Sequence, residues 1–162
     1  MEYTFPFSRS TNEKYRGTLL TDLGKLLSLL AEEKIILLVL VLIRMFSPIV
    51  SILALLHLDL AHLFIGVGKI LIGDSRPISV YSDAHSMSFG NPSGHNMTSI
   101  LFYLTLLHLL NPDFERRNRC RITTAIGLSM IFARLILFKH TLDQAIHGLN
   151  LGVLLHSLLV LL

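Results

Sequence analysis

Three short stretches carry residues with the chemistry of an oxyanion site. "KILIGDSR" at 69–76 offers Lys69 and Arg76, "NPSGH" at 91–95 offers Ser93, Gly94 and His95, and "ARLILFKHTLDQ" at 133–144 offers Arg134, His140, Asp143 and Gln144. A phosphate group needs several charge-assisted donors around its non-bridging oxygens. Lysine supplies a point charge, and the two arginines supply planar forks suited to bidentate contact. Ser93 adds a hydroxyl. The amides of Ser93 and Gly94 fall where a helix begins and leaves N–H groups for an anion, and glycine allows the backbone to approach closely. Of two histidines at such a site, one could attack phosphorus and the other protonate the leaving alcohol. The attacking imidazole needs an acceptor on its other nitrogen. Asp143 and Gln144 lie three and four residues after His140, so either could reach it from a helix.

The elements that must position these groups are apolar. The 162-residue chain is 52% hydrophobic and 15% charged, with a mean hydropathy of +0.62. That places most of it in a bilayer. The net charge of +3 is scattered between apolar runs with no long basic patch, so nucleic acid is excluded in favour of lipid headgroups or an anionic substrate. Cys120 is the only cysteine, which rules out an intrachain disulfide and a thiolate zinc site. His57, His85, His108, His147 and His156 form no set with metal-ligand spacing, and neither a metal nor another cofactor is expected.

The polar start, "MEYTFPFSRSTNEKYRG", has the pattern of neither a secretory leader nor an Arg-rich transit peptide. Residues 19–46 read as an interfacial amphipathic helix followed by a span, because Asp22, Lys25, Glu32, Glu33 and Lys34 are costly in hydrocarbon. Ser47-Pro48 is a helix-start signal, and Pro48 to Gly73 is long enough to cross at roughly 39 Å. Asp59, His62, Gly66 and Lys69 recur at helical spacing, a stripe expected to face protein. A polar loop covers 74–92, and further spans run from Ser93 to Asn111, over 121–139 and over 142–162. The expectation is an all-α integral membrane helix bundle of about five transmembrane helices plus an N-terminal amphipathic helix. It forms one domain over 1–162, with 1–30 as the polar or amphipathic segment and 48–162 as the motif-bearing core. Alternating spans bring Lys69 to Arg76, the "PSGH" turn and Arg134 to Asp143 to one face. The Arg-rich loop 112–121 lies on the other, cytosolic or matrix, side, which makes the motif face luminal or external in an endomembrane or a mitochondrial inner membrane.

The three stretches resemble the signature of the type 2 phosphatidic acid phosphatase superfamily, which also contains glucose-6-phosphatases and vanadium haloperoxidases. Lys69, Arg76 and Pro77 match its first element, Pro92 to His95 its second, and Arg134 and His140 its third; Ala133 and Gln144 stand where serine and aspartate are usual. The resemblance implies that His140 is the nucleophile, that His95 is acid and base toward the leaving oxygen, and that Lys69, Arg76, Ser93, Gly94 and Arg134 hold the phosphate without a metal. The function it implies is hydrolysis of a lipid phosphate or diphosphate monoester through a phosphohistidine. Two alternatives follow from the short length and from Gln144. One is a non-catalytic or weakly active accessory subunit bound to partner subunits of a larger, for example respiratory or other mitochondrial, membrane complex; the other is a sugar phosphatase similar to glucose-6-phosphatase.

Overall fold

The computed structural model describes residues 18–76 and 89–161, so the N-terminal polar stretch, Pro77 and His85 lie outside the described residues. The described residues form six α-helices and no strand: α1 Leu19–Ser28, α2 Glu33–Phe46, α3 Pro48–Ile72, α4 Gly94–Leu110, α5 Arg116–Ile136 and α6 Leu142–Leu161. Two of them, Pro48–Ile72 and Leu142–Leu161, are long and apolar enough to cross a membrane by length and composition.

Helix α1 is amphipathic in the sense a bilayer requires. Its buried positions, Thr21, Gly24 and Ser28, are small and recur at helical spacing, while Leu19, Leu20, Leu23 and Leu26 face outward. Apolar leucines outside and small residues at the helix contact are the arrangement of a lipid-facing helix. A 3-10 turn, Leu29–Ala31, and the extended Glu32 then interrupt the first apolar region. The break falls where Glu32, Glu33 and Lys34 favour the polar face of the membrane. Helix α2, the expected span of this region, has 14 residues, roughly 21 Å, short of the hydrocarbon thickness.

Ser47 and Pro48 separate α2 from α3 with Pro48 opening the helix, and the Ser51 hydroxyl donates to the Leu40 carbonyl at 3.0 Å across the corner. At the other end Gly73 adopts the left-handed conformation, φ 67°, and its N–H donates to the Lys69 carbonyl. That cap needs glycine. Helix α3 buries Ser51, Ala54, Leu58, Ala61 and Ile65. The stripe through Asp59 does not behave as expected. Asp59 and Gly66 are exposed, whereas His62 and Lys69 line a cavity together with Ile65. At roughly 100° per residue Gly66 stands about 40° around the helix from His62, 60° from Lys69 and 100° from Ile65, on the edge of the stripe turned away from Ile65.

Helix α4 is central and buries residues on all sides, from Asn96 to Leu106. Phe102 and Leu106 pack with Ile36, Leu40, Ala54 and Leu58, and Met97 and Leu101 pack with Ala61, Ile65 and Leu155. Its tightest seam is with α6. A side chain at Gly148 would overlap the Ser93 carbonyl, and one at Gly152 would come within 2.7 Å of the Met97 carbonyl oxygen. This is the close approach that Gly-x-x-x-Gly permits between membrane helices. Asn96 Nδ2 donates to the Ala145 carbonyl at 3.0 Å across the same seam. At the far end of the bundle Arg119 donates Nε to the Phe114 carbonyl at 3.1 Å, just beyond the C-terminus of α4.

Gly148→Ala is expected to lower the thermal midpoint of the detergent-solubilised protein, because backbone blocks the new methyl, at a cost of at least about 1–3 kcal/mol. Gly66→Ala, where an added Cβ meets nothing within 4 Å, should leave the midpoint unchanged or raise it. Equal effects of the two substitutions would refute this assignment of the seam.

Candidate functional site

At the end of the bundle where α3, α4 and α6 bring their motif ends together lies a cavity of about 420 Å³. Lys69 from the last turn of α3, Arg76 from the following loop, Gly94 and His95 from the start of α4, Arg134 from the last turn of α5 and His140 from the α5–α6 connection all line it. The same cavity is also lined by Glu32, Glu33, Lys34 and His62, with His62 Nε2 3.8 Å from a Glu33 carboxylate oxygen. A wider depression of about 950 Å³ runs along the start of α5 by Arg116, Arg117 and Cys120. It gathers no histidine and sits away from the three motifs, so the smaller cavity is the chemically equipped one.

A network anchored on Gln144 holds the motifs together. Thr141 Oγ1 accepts from the Gln144 N–H, and Gln144 Oε1 accepts from the Thr141 N–H, both at 3.2 Å. This reciprocal pair is a capping box that starts α6 immediately after His140. Gln144 Nε2 donates to the Ser75 carbonyl at 2.8 Å, tying in the loop that carries Arg76. The Gln144 carbonyl accepts from the Ser93 N–H at 3.0 Å. One residue thus touches all three motifs. Gly90 adds to the closure: its N–H donates to the Asp74 carbonyl at 2.7 Å, and a Cβ there would strike the Gln144 amide. Asn91 donates Nδ2 to Asp74 Oδ2 at 2.9 Å and places Oδ1 3.2 Å from His147 Nδ1.

Several expected site residues therefore take different parts. Ser93 is fully buried; its amide bonds Gln144 and its hydroxyl donates to Asn96 Oδ1 at 3.2 Å. It fixes the turn and is not among the residues lining the cavity. Gly94 is the backbone donor that faces the cavity, as the first residue of α4 with no helical carbonyl for its N–H. Of the two candidates beside His140, Asp143 is exposed and Gln144 is buried. Reading the motifs missed Asn91, Asp74, His147 and the α4–α6 seam. The Thr141-x-x-Gln144 capping box and the Gly148-x-x-x-Gly152 pair are the signals that could have found the seam and its anchor.

Two buried polar atoms in this region have no hydrogen-bond partner among the described residues, Arg134 Nε and His140 Nδ1. Buried polar groups are ordinarily satisfied, so these two atoms are the ones in the region with hydrogen-bonding capacity left over among the described residues. Burial first, then the charges of Arg134 and Arg76, push the His140 imidazole down to about 2, although the Gln144 side chain and the Gly90 backbone beside it act in the opposite direction. His140 is neutral at physiological pH, the form in which an imidazole can attack. Arg134 in turn donates Nη1 to Ser28 Oγ at 3.1 Å within the buried contact between α1 and α5.

The family model of the PAP2 superfamily matches residues 36–162. Among solved structures, a transmembrane PAP2-type phosphatidylglycerolphosphate phosphatase from Bacillus subtilis superposes with a TM-score of 0.73 at 23% identity, covering 93% of this chain and 80% of that one. Likeness at that identity shows the fold. No curated protein sequence matches the chain.

Gln144→Ala is expected to destabilise the protein by about 1–2 kcal/mol through loss of the cap and of the tie to Ser75, measured by thermal denaturation. An unchanged midpoint would show that the network is not what holds the motifs. The His140 imidazole resonances, assigned by their loss in His140→Gln, should show no titration between pH 8 and pH 5. The folded protein takes up this proton only well below the unfolded value near 6.5, so acidification through 6.5 favours the unfolded chain. A midpoint near 6.5 in the folded protein would contradict the buried, cation-flanked geometry.

Proposed function

The chain belongs to the PAP2 superfamily, and on that premise we propose that it is an integral membrane phosphatase acting on a lipid phosphate monoester. The observation that carries the reading is the gathering of Lys69, Arg76, Arg134, His95 and His140 around one cavity at the motif end of the bundle. Three cations and the Gly94 amide are a donor set for the non-bridging oxygens of a phosphoryl group. A substrate whose acyl tails stay in the leaflet would reach a cavity in that position with its phosphate foremost.

In this mechanism one nitrogen of neutral His140 attacks phosphorus while the bond from phosphorus to the leaving oxygen breaks. His95 takes up the proton that a monoanionic phosphate monoester brings into the cavity, passes it to that leaving oxygen, and the lipid alcohol departs. The second His140 nitrogen keeps its proton, with the Gly90 backbone and the Gln144 side chain beside the ring to hold its direction. His95, now a base, takes a proton from water, whose oxygen displaces His140 from phosphorus and releases inorganic phosphate. Lys69, Arg76 and Arg134 hold the equatorial oxygens in both steps. Gln144, where the family signature has aspartate, orients without adding negative charge, so the imidazolium-like transition state is less stabilised than with a carboxylate.

His140→Ala is expected to lower phosphate release from a panel of lipid phosphates at least a thousandfold, and His95→Ala by a comparable factor. A soluble sugar phosphate offered at the same concentration should be hydrolysed far more slowly than the lipid. Release that survives both substitutions would sink the mechanism. Preference for the sugar phosphate would replace the lipid substrate by a soluble one.

A further inference from the structure

Arg134 reaches the cavity with its orientation set from outside the three motifs. Arg134 is 5% exposed as a residue and Ser28 7%, and the guanidinium donates Nη1 to the Ser28 hydroxyl at 3.1 Å across 106 positions of chain. Its Nε is buried with no partner among the described residues. Ser28 ends α1, and α1 lies before the residues 36–162 that match the family model. The helix is seated by its small face: a Cβ on Gly24 would stand 3.2 Å from Ile136 Cγ2 and 3.4 Å from Leu137 Cγ. The contact therefore places Ser28, one turn after Gly24, beside the last turn of the arginine-bearing helix.

We propose that Ser28 is a positioning residue for phosphate binding: by accepting from Nη1 it fixes the plane of the Arg134 guanidinium and leaves the Nε edge for the oxyanion. The inference rests on the phosphate-site reading above. A guanidinium is planar, so one well-made hydrogen bond at Nη1 together with packing of the aliphatic stem determines where Nε points. The identity of the acceptor matters. A hydroxyl holds the group without neutralising it, whereas a carboxylate in direct contact would compete with the phosphate for the same charge. Glu32, a carboxylate that acts electrostatically on Arg134, makes no hydrogen bond with it among those formed by the described residues. The amphipathic helix thus contributes to the site through a neutral acceptor.

The test is binding of orthovanadate, a phosphate mimic, to the full-length protein in detergent micelles by calorimetry, with KM and kcat for a lipid phosphate measured alongside. Ser28→Ala is expected to raise the vanadate dissociation constant and KM roughly tenfold, as for loss of a hydrogen bond to a charged group, with a smaller change in kcat. Ser28→Thr, which keeps the hydroxyl, should stay within about twofold of wild type. Gly24→Leu, which keeps Ser28 but lifts α1 from Ile136 and Leu137, should weaken vanadate in the same direction as Ser28→Ala. The proposal is overturned if Ser28→Ala binds vanadate as wild type does while Arg134→Ala does not bind it, or if Ser28→Thr fails as badly as Ser28→Ala. If wild type binds no vanadate, or Arg134→Ala binds it unchanged, the phosphate-site reading itself fails and this inference with it.

Discussion

Helices α4 and α6 meet backbone to backbone at Gly148 and Gly152, and the positions of both site histidines follow from that contact. With no side chain at Gly148, the Ser93 carbonyl can lie against α6, close enough for the Ser93 N–H to bond the Gln144 carbonyl and for Asn96 to bond Ala145. His95 is then held at the start of one helix and His140 just before the start of the other, both lining one cavity. In lipid, where no hydrophobic effect drives helices together, such packing and interhelical hydrogen bonds are what set their relative position. Gln144 extends the same constraint to the Ser75 loop, so the third motif is registered against the other two through one side chain.

The electrostatics of the cavity depend on this registration. Lys69, Arg76 and Arg134 are near enough to act on one another or on the histidines, and like charges gathered in a poorly solvated space repel. Glu32, which also lines the cavity, acts favourably on Arg134 and offsets part of that field. A dianionic phosphoryl group would relieve the remainder, and the focused positive potential favours its capture.

Local chemistry made much of the fold legible in the sequence. Ser47-Pro48, Gly73 and Ser93 each mark a helix boundary by a mechanism confined to a few neighbouring residues, and the structure starts or stops helices at each of them. The motif residues Lys69, Arg76, His95, Arg134 and His140 line one cavity, at the ends of helices that the order of the elements already brings together. What depends on partners far along the chain was not readable in the same way. The Ser93 amide looked available to an anion because nothing nearby in sequence bonds it; its acceptor is 51 positions away on α6. Helical spacing put Asp59 and Gly66 on the stripe of Lys69, yet spacing alone does not say which edge of a stripe touches a neighbour. The bond from Arg134 to Ser28 joins a motif to a segment that carries none.

The central claim is that the α4–α6 seam presents His140 to a phosphoryl group as the attacking nucleophile. The most direct measurement is mass spectrometry of the protein after rapid quench of a single turnover with a lipid phosphate, under conditions that preserve phosphoramidate bonds. The account requires a phosphoryl group on His140 that appears and decays at rates matching phosphate release, and that persists longer when His95 is replaced by alanine. Turnover with no phosphoryl group on His140 at any time, or with the label on His95 instead, would contradict it.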